Sequence, residues 1–165
     1  QRLDATIVLQ GAFNGASNRA IRIAGPAFSQ TFAVAMAGVN GQIANIHVPV
    51  STGYGCLAAK DLAHSLTTAT SASIVNRAYK ATFVLRQGDS NNDDSVDIYD
   101  FSLFAADRGL ASGAAGRSNF NSDIAVNNAD FAFISTNFFR TGDTCSSNAQ
   151  GREAVTRVKI GRAHV

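Results

Sequence analysis

Asp89-Ser90-Asn91-Asn92-Asp93-Asp94-Ser95-Val96-Asp97-Ile98-Tyr99-Asp100 is the most informative stretch of this 165-residue chain. Side-chain oxygens stand at its first, third, fifth, ninth and twelfth positions, and an apolar residue stands at its eighth. Calcium ions take about six to eight oxygen ligands, which a tightly curled loop with this spacing supplies. The stretch therefore predicts a calcium-binding loop.

The expected ligands of this first loop all bind through oxygen: Asp89, Asn91, Asp93, the backbone carbonyl of Ser95, Asp97 and Asp100. Asp100 is expected to bind through both carboxylate oxygens and to start a helix. We expect Val96 to point its side chain into the core and to pair its backbone with the second loop. Asp94 stands where this motif normally has glycine, and aspartate tolerates the positive φ of that position.

A second copy of the pattern begins 30 residues later. Asp100 and Asp130 are 30 residues apart, as are Phe101 and Phe131, which indicates an internal repeat. The second loop has fewer carboxylates than the first, and Ile124 stands at its glycine position. We therefore predict that it binds calcium more weakly than the first loop. The alternative for each loop is an Asp- and Asn-rich turn that caps a helix. The expected ligands of the second loop are Asn119, Asn121, Asp123, the backbone carbonyl of Ala125, Asn127 and Asp130.

Before the first loop, short β-type runs alternate with Gly, Asn, Ser and Pro, which predicts a small antiparallel β-sandwich over residues 1–86. After Gln87, apolar residues recur at helical spacing and predict helices from Asp97 to Gly109 and from Asn127 to about Phe139. The expected fold is thus multidomain, with a small α-helical module carrying paired calcium loops at 87–142 and a tail at 143–165. The predicted strands are Asp4–Gln10, Arg19–Ile23, Thr31–Met36, Gln42–Val48, Gly55–Lys60, Ala72–Asn76 and Lys80–Arg86.

Charge and hydropathy argue against two classes of partner. The net charge is +2 and only 16% of residues are charged, so no strong field attracts nucleic acid. No apolar run approaches the roughly 18 residues of a membrane span. We expect neither a nucleic-acid partner nor a membrane span, and we expect a monomer.

No catalytic motif accompanies the histidines. His47 and His64 lack a nucleophile elbow, a zinc-binding helix or a reactive cysteine nearby. The loop carboxylates are committed to metal, and Glu153 is the only glutamate left for a glycosidase pair. We therefore expect a non-catalytic chain, with any enzyme domain encoded before Gln1.

The chain ends call for separate treatment. It starts at Gln1 without methionine, which indicates a fragment of a longer precursor. Residues 160–165 resemble a translated sequencing adapter, so no role is assigned to His164. Cys56 and Cys145 either form a disulfide, as in a secreted protein, or remain two free thiols.

Residues 88–109 and 118–139 resemble the two calcium-binding segments of a type I dockerin. Each has the loop followed by one helix, with Asp-Phe at the junction, at 100–101 and 130–131. Residues 4–86 are more loosely similar to the small prealbumin-like β-sandwich found before dockerins, near 48–54 and 60–66.

This resemblance implies a cohesin partner, bound in a calcium-dependent way, in the assembly of polysaccharide-degrading enzymes or surface complexes. It also implies an extracellular or cell-surface location. Recognition is expected at the exposed helix starts, where the residues differ from the family's frequent Ser-Thr pair. Two of them, Leu103 and Phe133, either form a hydrophobic docking patch or cover neighbouring core or the β-domain. The expected contact residues are Ser102, Leu103, Ala132 and Phe133.

Two other functions remain open. One is a calcium-stabilised stalk or adhesin of the cell surface, without a cohesin partner. The other is a carbohydrate-binding sandwich, which would bind a glycan through residues 1–86. That segment has no tryptophan and offers only Tyr54 and Tyr79 as tyrosines for sugar stacking.

Overall fold

Eight strands and two short helices make up the described part of the chain. The structure is a computed structural model and describes residues 1–11, 16–51, 53–111 and 116–145. The resemblance at 160–165 therefore falls outside the described residues. The helices are α1 (Ile98–Asp107) and α2 (Asn128–Asn137). The strands are β1 (Arg2–Leu9), β2 (Ala16–Gly25), β3 (Phe28–Ala37), β4 (Asn40–His47), β5 (Leu57–Asp61), β6 (Thr68–Thr70), β7 (Ser73–Val75) and β8 (Ala78–Leu85).

All the strands belong to one curled sheet with the order β6-β5-β2-β3-β4-β1-β8-β7. β1 and β8 run parallel, and the other neighbours are antiparallel. The curl brings β6 close to β8. Thr68 Oγ1 donates to the Val84 carbonyl at 3.0 Å, and the Leu66 amide donates to the Arg86 carbonyl at 2.9 Å. The sheet therefore forms a half-barrel.

One face of the sheet carries the main hydrophobic core. Alternate residues of β1 and β8 are buried, as the period of two along a strand requires. In β8, Ala81, Phe83 and Leu85 lie on one face and are buried. The buried residues of these two strands are Leu3, Ala5, Ile7 and Leu9 of β1, and Ala78, Tyr79, Ala81, Phe83 and Leu85 of β8.

Each helix follows a loop and starts at a matching cap. The Asp97 side chain accepts the Tyr99 amide at 2.8 Å, and the Asn127 side chain accepts the Ala129 amide at 2.7 Å. Such caps satisfy amides that a helix leaves unpaired at its start. Gly109 follows α1 with φ 87°, as expected for a residue just past a helix.

A second hydrophobic core joins the helices to the sheet. Leu66, just before β6, belongs to it and is fully buried. Gly11, just after β1, has φ 95° and lies so close to the Phe133 ring that no Cβ would fit. The helices therefore pack directly on the sheet. The buried members are Leu66, Val96, Phe104, Phe120, Val126, Phe133 and Ile134.

The expected fold class, an antiparallel β-sandwich followed by a small α-helical dockerin, is wrong. The described residues are mostly β and form a single curled sheet that includes a parallel pair. Their only helices have 10 residues each. Alternating hydrophobicity locates strands but does not show which strands pair. Helical periodicity likewise does not distinguish a separate helical module from short helices packed on a sheet.

Cys56 and Cys145 form a disulfide bond, which decides between the two alternatives for these residues. Their Cα atoms are 5.6 Å apart, and they are separated by 89 residues in sequence. Cys56 precedes β5 directly and Cys145 follows α2. The bond therefore ties the segment after the second helix to the sheet.

Candidate metal-binding loops

Asp100 closes the first loop, residues 89–100, around its own carboxylate. Its Oδ1 accepts the amides of Ser90 at 2.7 Å and Asn91 at 3.2 Å. Its Oδ2 accepts the amide of Asp97 at 2.8 Å. Asp100 is the third residue of α1 and is fully buried. The helix therefore fixes the direction of the carboxylate that holds the loop.

Asp89 and Asp93 curl the first half of this loop. Asp89 accepts the amides of Asp93 at 3.1 Å and Asp94 at 3.0 Å. Asp93 accepts the side-chain amide of Asn91 at 2.8 Å and the backbone amide of Ser95 at 2.9 Å. Bonds of this kind from Asp and Asn stabilise tight turns. These hydrogen bonds curl the segment that carries the predicted ligands of the first loop.

Asp94 fastens the first loop to the sheet. Its φ of 70° is the one expected at the glycine position. Its Oδ1 accepts the Thr67 amide at 2.6 Å and the Lys60 ammonium at 3.0 Å. The same Lys60 Nζ donates to Asp89 Oδ2 at 2.6 Å. The Lys60 side chain is only 5% exposed, so a buried ion pair holds the loop against β5.

Asp130 repeats the arrangement in the second loop, residues 119–130. Its Oδ1 accepts the amides of Phe120 at 2.7 Å and Asn121 at 3.3 Å, and its Oδ2 accepts that of Asn127 at 2.9 Å. Asp130 is fully buried, like Asp100. The two loops are therefore structural copies, as the 30-residue offset indicates.

Asn119, the counterpart of Asp89, carries a buried oxygen without a partner. Its Nδ2 donates to the Asp123 carbonyl at 2.9 Å. Its Oδ1 has no hydrogen-bond partner among the described residues, and the side chain is 4% exposed. An unpaired buried acceptor is costly and is usually satisfied by a water or an ion. This oxygen is thus available to a cation.

Ile124 makes the turn of the second loop different from that of the first. Ser122 has φ 59°, close to the 63° of its counterpart Asn92. Ile124, however, does not adopt the positive φ of Asp94, and it is 88% exposed. Its side chain offers no acceptor to the sheet. The second loop therefore lacks the contact that Asp94 provides in the first.

Burial raises the pKa of Asp89, Asp100 and Asp130 above the ordinary aspartate value. It acts in the same direction at Asp94 and Asp123, but hydrogen bonds outweigh it there and the pKa is lowered. A nearby cation favours the ionised form of a carboxylate. Positive charge in the loops would thus stabilise the three buried carboxylates. The hydrogen bonds on Asp123 come from Ala125, Asn121 and Asn127.

The donor set suits calcium, because every predicted ligand is an oxygen, including the carbonyls of Ser95 and Ala125. Within the described ranges, no three Asp, Glu, His or Cys side chains form a preassembled metal cluster. Hydrogen bonds to Asp100 and Asp130 close the two loops in this structure. A calcium ion would have to draw the carboxylates of each loop together.

Val96 and Val126, the eighth residues of the loops, are both buried. The Val96 amide donates to the Arg140 carbonyl at 2.9 Å, and the Val126 amide donates to the Leu110 carbonyl at 3.0 Å. The predicted pairing of Val96 with the second loop is therefore wrong. Each loop instead pairs with the segment that follows the other loop's helix: the first loop with Arg140, after α2, and the second loop with Leu110, after α1.

Arg19 of β2 ties the second loop to the sheet. Its guanidinium donates to the Phe120 carbonyl at 3.0 Å, to Ser122 Oγ at 2.6 Å and to Asp61 Oδ2 at 3.2 Å. Arg19 and Asp61 are both buried. Arg19 and Lys60 thus connect one loop each to the neighbouring strands β2 and β5. Sequence analysis identified neither contact, because both partners lie far from the loops in sequence.

The expected partner-binding residues differ in exposure. Ser102 and Ala132 are exposed, and Leu103 is half-buried. Phe133 is buried in the second core, against Gly11. Of the two alternatives for Phe133, covering the core is the one that agrees with its position.

Comparison with known proteins gives a likeness in structure only. No family model matches the chain, and no curated protein matches it in sequence. Two crystal structures of interface mutants of the type II cohesin–X-dockerin complex from Acetivibrio cellulolyticus contain a chain with a similar fold. The TM-scores are 0.56 and 0.58 at 14% identity, and each match covers 85% of this chain and 97% of the other. The fold is therefore one found in these complexes.

Proposed function

We propose that this chain is a calcium-binding docking module, which joins a secreted protein to a cohesin-type partner. The repeated loop-helix geometry carries the proposal. Asp100 and Asp130 close two loops in the same way, each at the start of a helix. Paired loops of this kind are what the resemblance to dockerins implies. In this chain they act while packed on the curled sheet.

Each loop would hold one calcium ion through its oxygen atoms. The unpartnered Oδ1 of Asn119 supports a cation in the second loop. The first loop has four carboxylates among its ligands and the second has two, so the first binds more tightly. The ligands are Asp89, Asn91, Asp93, Asp97, Asp100 and the Ser95 carbonyl in the first loop, and Asn119, Asn121, Asp123, Asn127, Asp130 and the Ala125 carbonyl in the second.

The docking surface would be the outer face of the two helices. Phe101 and Phe131 are 38% and 39% exposed, and their ring centroids are 6.0 Å apart. Ser102 and Ala132 are exposed beside them. Exposed aromatic side chains next to small ones favour an apolar interface with a protein partner. Leu103, half-buried, would lie at the edge of this surface.

The likeness in fold supports a place in a cohesin–dockerin assembly. A second candidate function puts this chain on the cohesin side, where its sheet would bind a dockerin. The mostly β architecture favours that candidate. The sequence resembles type I dockerins, whereas the similar structures come from a type II complex, so partners of both types need to be tested.

An extracellular, non-catalytic role is part of the proposal. The Cys56–Cys145 disulfide supports an oxidising compartment. Neither described helix has the length and apolar character that a membrane crossing requires. Any enzymatic activity would belong to another part of the protein.

Binding to immobilised panels of cohesins and dockerins, of types I and II, tests the proposal. We expect retention by a cohesin in calcium and release by a chelator. Ala132→Arg should abolish this retention, whereas Ser73→Arg, on the exposed edge strand β7, should not. Retention by a dockerin instead would establish the second candidate. Binding to neither panel, with calcium bound, would contradict both.

A further inference from the structure

Lys60 places a positive charge inside the first loop. Its Nζ lies 2.6 Å from Asp89 Oδ2 and 3.0 Å from Asp94 Oδ1. The Lys60 side chain is 5% exposed and the Asp89 side chain is fully buried. Asp89 is the first calcium ligand of this loop under the proposed function. The loop therefore holds an internal cation beside a carboxylate that is one of its predicted ligands.

Among the described residues, the second loop has no equivalent of this contact. Asn119 replaces Asp89, and no described side chain donates to its buried Oδ1. Ile124 replaces Asp94 and is exposed. The sheet reaches the second loop through Arg19, whose guanidinium binds Phe120 O and Ser122 Oγ, neither of which is a predicted ligand. In the first loop a buried cation thus contacts two side chains of the loop, one of them a predicted ligand, whereas the contacts of Arg19 named above reach other atoms of the second loop.

We propose that Lys60 sets the calcium affinity of the first loop by competing with the ion for the charge of Asp89. This inference rests on the proposed function. An ammonium group within hydrogen-bonding distance of a ligand carboxylate repels a divalent cation bound to the same carboxylate, and burial weakens the screening. Lys60 also keeps the loop curled on β5 before calcium arrives. Because of the repulsion between Lys60 and the ion, the calcium affinity of the first loop is lower than its four carboxylates alone would give.

Loss of the hydrogen bond opposes this effect, but to a smaller extent. Replacing Lys60 by a neutral residue removes one anchor of Asp89, which still accepts the amides of Asp93 and Asp94. Those two bonds keep the Asp89 carboxylate in place. The loss of repulsion therefore dominates.

Calorimetric titration of calcium into Lys60→Met tests the inference. We expect the first loop to bind calcium about tenfold more tightly, or better, than in wild type. The variant Asp93→Ala removes a predicted ligand of the first loop. The calcium-binding heat that this variant lacks therefore belongs to the first loop. Lys80→Met is the matched control. Lys80 of β8 also pairs with an aspartate, Asp4 of β1, but its side chain is half exposed and Asp4 is not a predicted calcium ligand. We expect an affinity within about twofold of wild type for this control.

Lys60→Gln serves if Lys60→Met does not fold, because glutamine keeps a donor for Asp89 without the charge. If wild type binds calcium and the first site of these variants binds it equally or more weakly, the role proposed for Lys60 is overturned, while the proposed calcium function is not. Calcium uptake by Lys60→Met but not by wild type would support it strongly. No uptake by either protein would overturn the proposed calcium function and this inference with it.

Discussion

The Asp100 and Asp130 carboxylates each accept three backbone amides, at distances that agree within 0.1 Å between the two loops. Two loops of different sequence thus reach the same closed form. Both have an aspartate at the third position of the helix and a capping residue before the helix, Asp97 in the first and Asn127 in the second. The repeat is therefore conserved in geometry even where the second loop has lost carboxylates.

Asp100→Ala and Asp130→Ala should each lower the free energy of unfolding by about 2–4 kcal/mol without calcium, because each leaves loop amides unpaired. In saturating calcium, Asp100→Ala should lose more, since it also removes a ligand from the stronger site. Urea unfolding in chelator and in calcium measures both effects. Equal losses of the two variants in calcium would contradict the assigned order of the sites.

His64 should make the protein sensitive to acid. It is buried, with its ring 5.8 Å from the Phe120 ring, and burial together with the charge of Arg19 lowers its pKa to about 3. The unfolded chain binds a proton near pH 6.5, whereas the folded protein does not until about 3. His64 therefore costs about 1.4 kcal/mol of stability for each pH unit of acidification between these values.

His64→Gln removes that contribution, so its free energy of unfolding should fall less steeply with acidification than that of wild type. Chemical unfolding of both proteins at pH 6, 5 and 4 measures the difference. The exposed His47→Gln is the control and should keep the wild-type slope. A His64→Gln slope equal to that of wild type would show that His64 is protonated in the fold.

Arg19→Met should destabilise the protein by about 3–5 kcal/mol, because it leaves the buried Asp61 without its cation. Adding Asp61→Asn should recover part of this loss by removing the unpaired charge. Arg22→Met, on an exposed side chain of the same strand, should change stability little. Thermal unfolding compares the variants. Similar melting temperatures for Arg19→Met and Arg22→Met would contradict the role given to the buried pair.

The double variant Cys56→Ser/Cys145→Ser should lose about 4 kcal/mol of stability or less, because the disulfide restricts a long loop in the unfolded chain. A reducing agent should lower the melting temperature of wild type and leave that of the variant unchanged. An effect of the reductant on both proteins, or on neither, would contradict a structural role for the bond.

Local pattern predicted the elements of this chain better than their arrangement. The β-type run Lys80–Arg86 predicted β8, which the structure places at Ala78–Leu85. Nothing local in β8 indicates that its partner is β1, in parallel, because strand pairing depends on how the whole sheet closes. The exposed fraction of Ile98, 57%, likewise shows that helical spacing does not tell which apolar residues are covered.

The candidate site divides in the same way. Spacing within one segment identified Asp100 and its helix cap, since both depend on neighbours a few residues away. The ion pair of Lys60 with Asp89 joins residues 29 apart, and the contact of Arg19 with Ser122 joins residues 103 apart. Such contacts follow from the fold and leave no local pattern. A buried lysine in a short strand looks like any strand-end lysine in sequence.

Calcium titration of the wild-type chain, after removal of bound metal by a chelator, tests the central claim most directly. We predict uptake of two calcium ions per chain, the first more tightly than the second, with a higher melting temperature in calcium than in chelator. Absence of heat on titration, together with the same melting temperature in calcium and in chelator, would show that the two loops are only turns that cap helices.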